Sequence, residues 1–476
     1  MEYGYLVFLP PIITTIVALI TKKVAPGLLL GILAGELLLR DWNLVHALIC
    51  GAEKLVEICL GGDNWKTFLF TSLMGAFVIL VRVSGGVDGF VHWLTEQSSK
   101  VRGPKSAMLI AYLIGLIIFI DSQLSIMFTG VVSRPLIDKY KVSREKLAYI
   151  CGSTSAPVNA LFPLNSWGAM LTGLIGAEVA AGVISGDPMT LLLESLPFQF
   201  YSIICLLAVL FYVLTGKDWG PMKKAEVRVK ITGKLYDDGV TPLMDEQRDE
   251  ETLVPPERSR KINMLLPLTS LIGCTFTGLF ITGGGNVTRG DGRTSILTAV
   301  AITLVLMAVM YRGQKIMSLQ QFLSYVWKGV KSMVSLVVLL ILAFAIGGVI
   351  KELGTGPFLA SLLGDSIDGA FGPAIIFLLG ALMAFATGTS WGTFSIMMPI
   401  AIPMAAAMDA NILLTIGAVI SGGIFGDHCS PISDTTILSS MSVGTDLFSH
   451  MKTQMPYALV SAGLTAVLFV VFGVIL

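Results

Sequence analysis

Two acids, an imidazole, four hydroxyls and a proline stand together in Gly426-Asp427-His428-Cys429-Ser430-Pro431-Ile432-Ser433-Asp434-Thr435-Thr436. The chain on either side is apolar, over 410–425 and again over 457–476. A charged side chain at mid-bilayer costs about 2.5–3.5 kcal/mol on insertion scales, so such residues face a cavity and mark an ion or substrate path. Proline after small and polar residues breaks a helix and leaves carbonyls free to coordinate. The stretch therefore reads as half of a cation site. Its oxygen ligands would be Asp427, Ser430, Ser433, Asp434, Thr435 and Thr436, with the carboxylates of Asp427 and Asp434 expected to hold sodium. Burial disfavours the charged form of a carboxylate, so a buried one can take either a proton or sodium, and their competition is a sufficient mechanism for exchange. Asp427 can instead cap a half-helix. His428 can relay protons or make a structural hydrogen bond.

The elements that must position these residues follow from composition. The chain has 476 residues, 54% hydrophobic and 13% charged, against about 25% charged in soluble domains. Mean hydropathy is +0.79. Repeated apolar runs approach the roughly 20 residues a spanning helix needs. The fold class is an all-α polytopic membrane protein. Net charge is zero, which gives no reason to expect nucleic acid. Six cysteines without a Cys-x-x-Cys pair argue against a structural metal cluster. The opening residues lack a basic segment, so no cleaved signal peptide is expected.

In the first half (1–216), spans are expected at 5–21, 26–39 and 66–83, with an amphipathic, interfacial stretch over 44–64. Residues 106–134 are apolar except at Asp121-Ser122-Gln123, with basic residues at both ends. If both ends are cytoplasmic, this is a re-entrant hairpin with Asp121 at its tip; the alternative is one long helix with a buried Asp. Residues 146–176 return through the membrane, broken near Gly152-Ser153-Thr154-Ser155-Ala156-Pro157. An outside segment with Glu178, Asp187 and Glu194 precedes a span at 198–215. Residues 217–261, dense in both charges, read as a cytoplasmic linker.

The second half (262–476) repeats this order. Spans at 262–283, 294–311 and 332–350 lead to a hairpin at 373–402 with Thr387-Gly388-Thr389-Ser390 in its middle, a broken helix at 411–443 and a last span at 456–476. Residues 352–451 hold no Lys or Arg, so this hairpin should enter from outside. The result is an inverted repeat of about 5+5 helices with both termini outside. Asp121 to Pro135 and Thr389 to Pro403 both span 14 residues, and Gly152 to Pro157 and Gly426 to Pro431 both span five. Ser-Trp-Gly occurs at 166–168 and 390–392, but at non-equivalent places, and carries no weight.

Inverted repeats put sites near the midplane between discontinuous helices. Besides the cluster at 426–436, Asp121 joins the cation or proton ligands. Ser153, Thr154, Asn159, Asn165, Ser166, Thr389 and Ser390 are candidates for a solute or second cation. No nucleophile–base or metal-ligand spacing stands out, so neither enzyme nor cofactor is expected. No pore-lining ring repeats along the chain, which disfavours a channel.

The run from Ser421 to Ser440 closely resembles the signature of the NhaC-type sodium/proton antiporter family, within the ion-transporter superfamily. So do Gly388-Thr389-Ser390-Trp391-Gly392-Thr393-Phe394 and Ser143-Arg144-Glu145-Lys146-Leu147-Ala148-Tyr149-Ile150. The resemblance covers nearly the whole chain. It implies sodium/proton antiport in a bacterial-type inner membrane and suggests a homodimer; some relatives exchange organic anions or move amino acids. The first half departs from the pattern. Many relatives resemble Phe-Asp-Asp-Tyr at the hairpin tip, where this chain has Phe119-Ile120-Asp121-Ser122, and carry an acid where it has Gly152. Two fewer carboxylates leave a second reading: a sodium-coupled symporter or exchanger of a small amino acid or carboxylate, with the solute on the first half.

Overall fold

A computed structural model describes the chain except residues 1–2, 22–23, 61–63, 97–102, 120, 236–252, 256–257, 286–289, 356–357, 359–368 and 432. The basic residues Lys22, Lys23, Lys100 and Arg102, the acids Asp365 and Asp368, and most of the linker's acids lie outside the described residues. The described chain is all-helical, with nine helices long and apolar enough to cross a membrane.

The first half opens with α1 (Leu9–Thr21) and α2 (Val24–Leu39). Thr14 lies against Gly31 and Pro10 against Gly35, so the two run antiparallel as a short helical pair. Next come α3 (Leu44–Leu60), α4 (Asn64–Val83) and α5 (Gly86–Glu96). Residues 104–139 form α6 (Pro104–Ile117) and α7 (Ser122–Lys139). Across their turn Ser125 Oγ donates to the Gly115 carbonyl at 3.3 Å.

The stretch expected as one broken helix is interrupted twice. It comprises α8 (Arg144–Ser153), α9 (Ala156–Leu161) and α10 (Ser166–Ala180). Pro157 supplies the first interruption and Pro163 stands in the second, since neither has an N–H to continue a ladder. Then follow α11 (Pro188–Ser195) and α12 (Phe200–Thr215), which ends at Gly216 in the left-handed region (φ 64°).

The stretch read as a linker contains α13 (Gly220–Thr232), docked on the start of α8. Glu226 accepts from Ser143 N and Oγ, both at 2.8 Å; Arg228 pairs with Glu145 and Lys146 with Asp218, both at 2.7 Å. Buried charges tolerate burial only when paired in this way.

The second half comprises α14 (Ile262–Thr282), α15 (Gly292–Gly313), α16 (Leu319–Ser332) and α17 (Val334–Glu352). After these come α18 (Gly372–Thr387), α19 (Ser390–Ala407), α20 (Ile412–Cys429), α21 (Asp434–Val443) and α22 (Leu447–Ile475). Helix α16 has no counterpart in the sequence reading. It carries Lys328 and Lys331 on a polar face and packs Phe322 and Tyr325 inward. Helix α2 packs on α17 as α15 packs on α4, and α3 on α17 as α16 on α4.

Gly388 ends α18 in the left-handed region (φ 68°) and lets the chain turn directly into α19. Gly369, before α18, lies against Met408, after α19, so the two helices return to the same end. Helix α20 runs alongside α18 in the same direction, with Gly422 against Phe377 and Gly426 against Ala381 at backbone contact distance. Any side chain at either glycine would collide with a carbonyl of α18.

Candidate functional site

Where α18 turns and α20 stops, Asp427 is 2% exposed. Its Oδ2 accepts from Ser390 Oγ at 3.4 Å, on the first residue of α19, and from Thr435 Oγ1 at 3.3 Å, on α21. Its Oδ1 is buried and has no hydrogen-bond partner among the described residues. Three interrupted elements thus meet on one carboxylate. An orphaned buried carboxylate oxygen is costly, and a proton or a cation would satisfy it. Ser433 Oγ is 2.8 Å from Thr435 Oγ1 and accepts from Thr436 N at 3.4 Å, which caps α21. The break itself is held by Ser430, whose hydroxyl donates to the Phe385 carbonyl at 2.7 Å. Helix α20 ends here, so its last carbonyls lack intrahelical donors.

Asp434 stands apart from this cluster. It is exposed at the first turn of α21, where Oδ1 accepts from Thr435 N at 2.8 Å and Oδ2 from Gln123 Nε2 at 3.2 Å. Gln123 belongs to the first turn of α7, two residues past the half-buried Asp121. The tip of one half therefore touches the broken helix of the other. His428 is fully enclosed: its Nε2 lies 3.3 Å from Ser153 Oγ and its Nδ1 2.9 Å from the Tyr201 hydroxyl. Gln454 donates to its carbonyl, and Tyr149 stacks on the ring.

Three of the five candidate solute residues of the first half, Thr154, Asn159 and Asn165, are spent on backbone. Thr154 Oγ1 donates to the Ile150 carbonyl at 2.7 Å and Asn159 Nδ2 to the Ser155 carbonyl at 2.9 Å. Asn165 Nδ2 donates to the carbonyls of Phe119 and Asn159, both at 2.9 Å, while its Oδ1 caps α10 through Gly168 N at 3.0 Å. Ser166 Oγ alone of this group is buried without a partner. Thr389 caps α19 by accepting from Gly392 N at 3.3 Å.

Two features escaped the sequence. The repeated Ser-Trp-Gly is not idle: both copies open a capped helix, and Trp167 and Trp391 pack edge to face at 5.9 Å and 86°. Glu178, expected in an outside segment, is fully buried inside α10. The apolar run 167–177 continues helical through it, which was the available signal. Among the described residues no group of three or more His, Cys, Asp or Glu side chains is placed to hold a metal ion.

The model of the Na+/H+ antiporter family matches residues 165–474, which include every second-half residue of the site. An uncharacterized protein of Haemophilus influenzae is 32% identical over 98% of this chain and 90% of its own. A second protein of that organism, an uncharacterized Na(+)/H(+) antiporter, is 34% identical over 30% of each chain. The crystal structure of the Alcanivorax borkumensis YdaH transporter superposes with TM-score 0.60 at 14% identity, covering 90% of this chain and 88% of that one, a likeness of fold alone. Together with the helices long and apolar enough to cross a membrane, the match over 165–474 makes this chain an integral membrane transporter, not an enzyme, and a member of the Na+/H+ antiporter family.

Proposed function

We propose that the chain exchanges sodium for protons by alternating access, with Asp427 the carboxylate for which the two ions compete. The observation that carries this reading is the half-satisfied Asp427, with Oδ2 held by Ser390 and Thr435 and Oδ1 unpartnered. No protein cation pairs with it among the described residues, so the missing partner is an ion that comes and goes. Ser390, Ser433, Thr435 and the carbonyls at the end of α20 are the further oxygens within the same enclosure. An ion at Asp427 is linked to the α18–α19 turn and to α21 together, and binding energy at such a junction favours one arrangement of the halves over another.

The inverted-repeat reading is supported by the order of elements. Helices α1–α4, α6–α9 and α12 have counterparts in α14–α17, α18–α21 and α22, with crossed packing of α2 on α17 and α15 on α4. We place both termini outside and α13 on the cytoplasmic side of an inner membrane, with a homodimer as the assembly suggested by the family resemblance. Asp434 and Asp121, on either side of the Gln123 contact, are secondary ion ligands in this scheme. His428 acts as a fixed bridge between halves, because both ring nitrogens are already engaged. The organic-solute reading is weakened by Asn159 and Asn165, whose amides are committed to backbone.

The test is a proteoliposome carrying an inward sodium gradient with no solute present. Sodium-driven proton efflux that disappears in Asp427→Asn is expected. A silent wild type that takes up a labelled amino acid or carboxylate on the same gradient sinks the reading.

A further inference from the structure

Glu178 is 0% exposed, and neither carboxylate oxygen has a hydrogen-bond partner among the described residues. It lies two residues before the end of α10, wedged between two other helices. Its Oε1 is 2.9 Å from where a Cβ on Gly347 of α17 would stand, and Pro399 of α19 flanks the same point at 3.8 Å. A side chain at 347 would push the carboxyl aside. Pro399 and Pro403 remove two backbone donors from α19 at this level. The surroundings give an ionised carboxylate no hydrogen bond among the described residues, and only the longer-range charge of Lys351 favours it there.

The charged groups on the elements packed against α10 are few. Helix α17 brings Lys351, whose ammonium rests against Gly182 beyond the end of α10, and Glu352, which Lys54 pairs at 2.9 Å. Helix α11 brings the exposed Glu194, and α4 brings Lys66, bonded to Thr294, and Arg82 at its far end. Helices α9 and α19 carry no titratable side chain.

Position gives this acid a role. Helix α19 starts at Asp427, where Ser390 holds the carboxylate, and α10 starts beside α19, where Trp167 meets Trp391. Pro399 is nine residues further along α19, about 13 Å at 1.5 Å per residue. At the far end of the same two helices a cavity of about 950 Å³ opens, lined by Val179, Gly182, Val183, Ala406 and Asn411. Glu178 is the residue before Val179. It stands between the central carboxylate and an open cavity, on the seam that joins them.

We propose that Glu178 is a second proton-binding site of this transporter, through which protons pass between Asp427 and the cavity at the end of α10. This deepens the antiport reading and rests on it for the identity of the coupled ion. Infrared difference spectra of the purified full chain, recorded across pH, should contain the C=O band of a neutral carboxylic acid that is absent in Glu178→Gln and retained in Asp427→Asn. In proteoliposomes Glu178→Gln should slow sodium-driven proton movement by about tenfold or more, while isotopic sodium/sodium exchange stays within about twofold of wild type. Glu178→Asp, which keeps the acid, should restore part of the proton movement. Loss of both exchange modes together in Glu178→Gln would make the residue structural, and no change in either, or no missing band, would make it a bystander; each overturns the proposal. A wild type without sodium-driven proton movement defeats the antiport reading instead, and the infrared band then decides on Glu178 alone.

Discussion

Gln123 Nε2 donates to Asp434 Oδ2 at 3.2 Å, joining the first-half hairpin tip to the second-half broken helix. The pair is exposed, and Asp434 also sits in the first turn of α21, where a negative charge stabilises the helix by about 0.3–1 kcal/mol. Asp434→Asn should therefore weaken sodium dependence only a few-fold (about 1 kcal/mol), seen as a raised KM for sodium with turnover preserved. Complete loss of transport in this variant would make Asp434 a primary ligand and contradict its secondary role.

The hydroxyls on Asp427 Oδ2 are a graded test of the central site. Each neutral-to-charged hydrogen bond is worth about 1.5–3 kcal/mol, so Ser390→Ala and Thr435→Val should each raise the sodium concentration for half-maximal exchange by about tenfold or more. The double variant should exceed either single one, because both bonds end on one oxygen. Variants indistinguishable from wild type in a sodium titration would contradict the assignment.

Tyr201→Phe removes the 2.9 Å contact to His428 Nδ1 while keeping the ring against Phe425. A fixed bridge predicts lost stability, about 1 kcal/mol, read as a lower Tm in detergent, with the pH profile of exchange unmoved. A shifted pH profile at unchanged Tm would restore His428 as a proton relay.

The buried pair Lys146–Asp218 ties α8 to the segment before α13 at 2.7 Å. Breaking it from one side, Lys146→Met, strands a buried carboxylate and should cost about 3–5 kcal/mol, enough to lower the amount of folded protein recovered. Adding Asp218→Leu should recover much of that loss, since both charges then leave together. Measured by thermal unfolding, a double variant no better than the single one would rule out the pair as the cause.

Much of the architecture was legible because bilayer thickness imposes its own period on sequence. The helix ends at Ile117 and Thr387 fall where polar residues interrupt apolar runs. The Asp427 cluster stood out for a related reason: acids are rare between runs so apolar. Helix α16 was hidden because Gln320, Gln321, Ser324, Lys328 and Lys331 interrupt its apolar residues and leave no long apolar run. The role of Asn165 was hidden for a different cause. An amide that holds a solute and one that pins Phe119 and Asn159 have the same composition, and only three-dimensional contact separates them. Glu178 was misplaced because the boundary of a span was set by the first acid after an apolar run, whereas α10 continues past it.

The close approach of α18 and α20 limits how this molecule can work. With Gly422 and Gly426 set into the carbonyls of Phe377 and Ala381, neither helix can slip by a turn against the other, and Ser430 clasps the same leg at Phe385. The turn bearing Ser390 and the end of α20 bearing Asp427 thus form one mechanical piece. Any movement of this piece therefore occurs where it meets the rest of the protein, and the Asp427 cage moves with it as a unit.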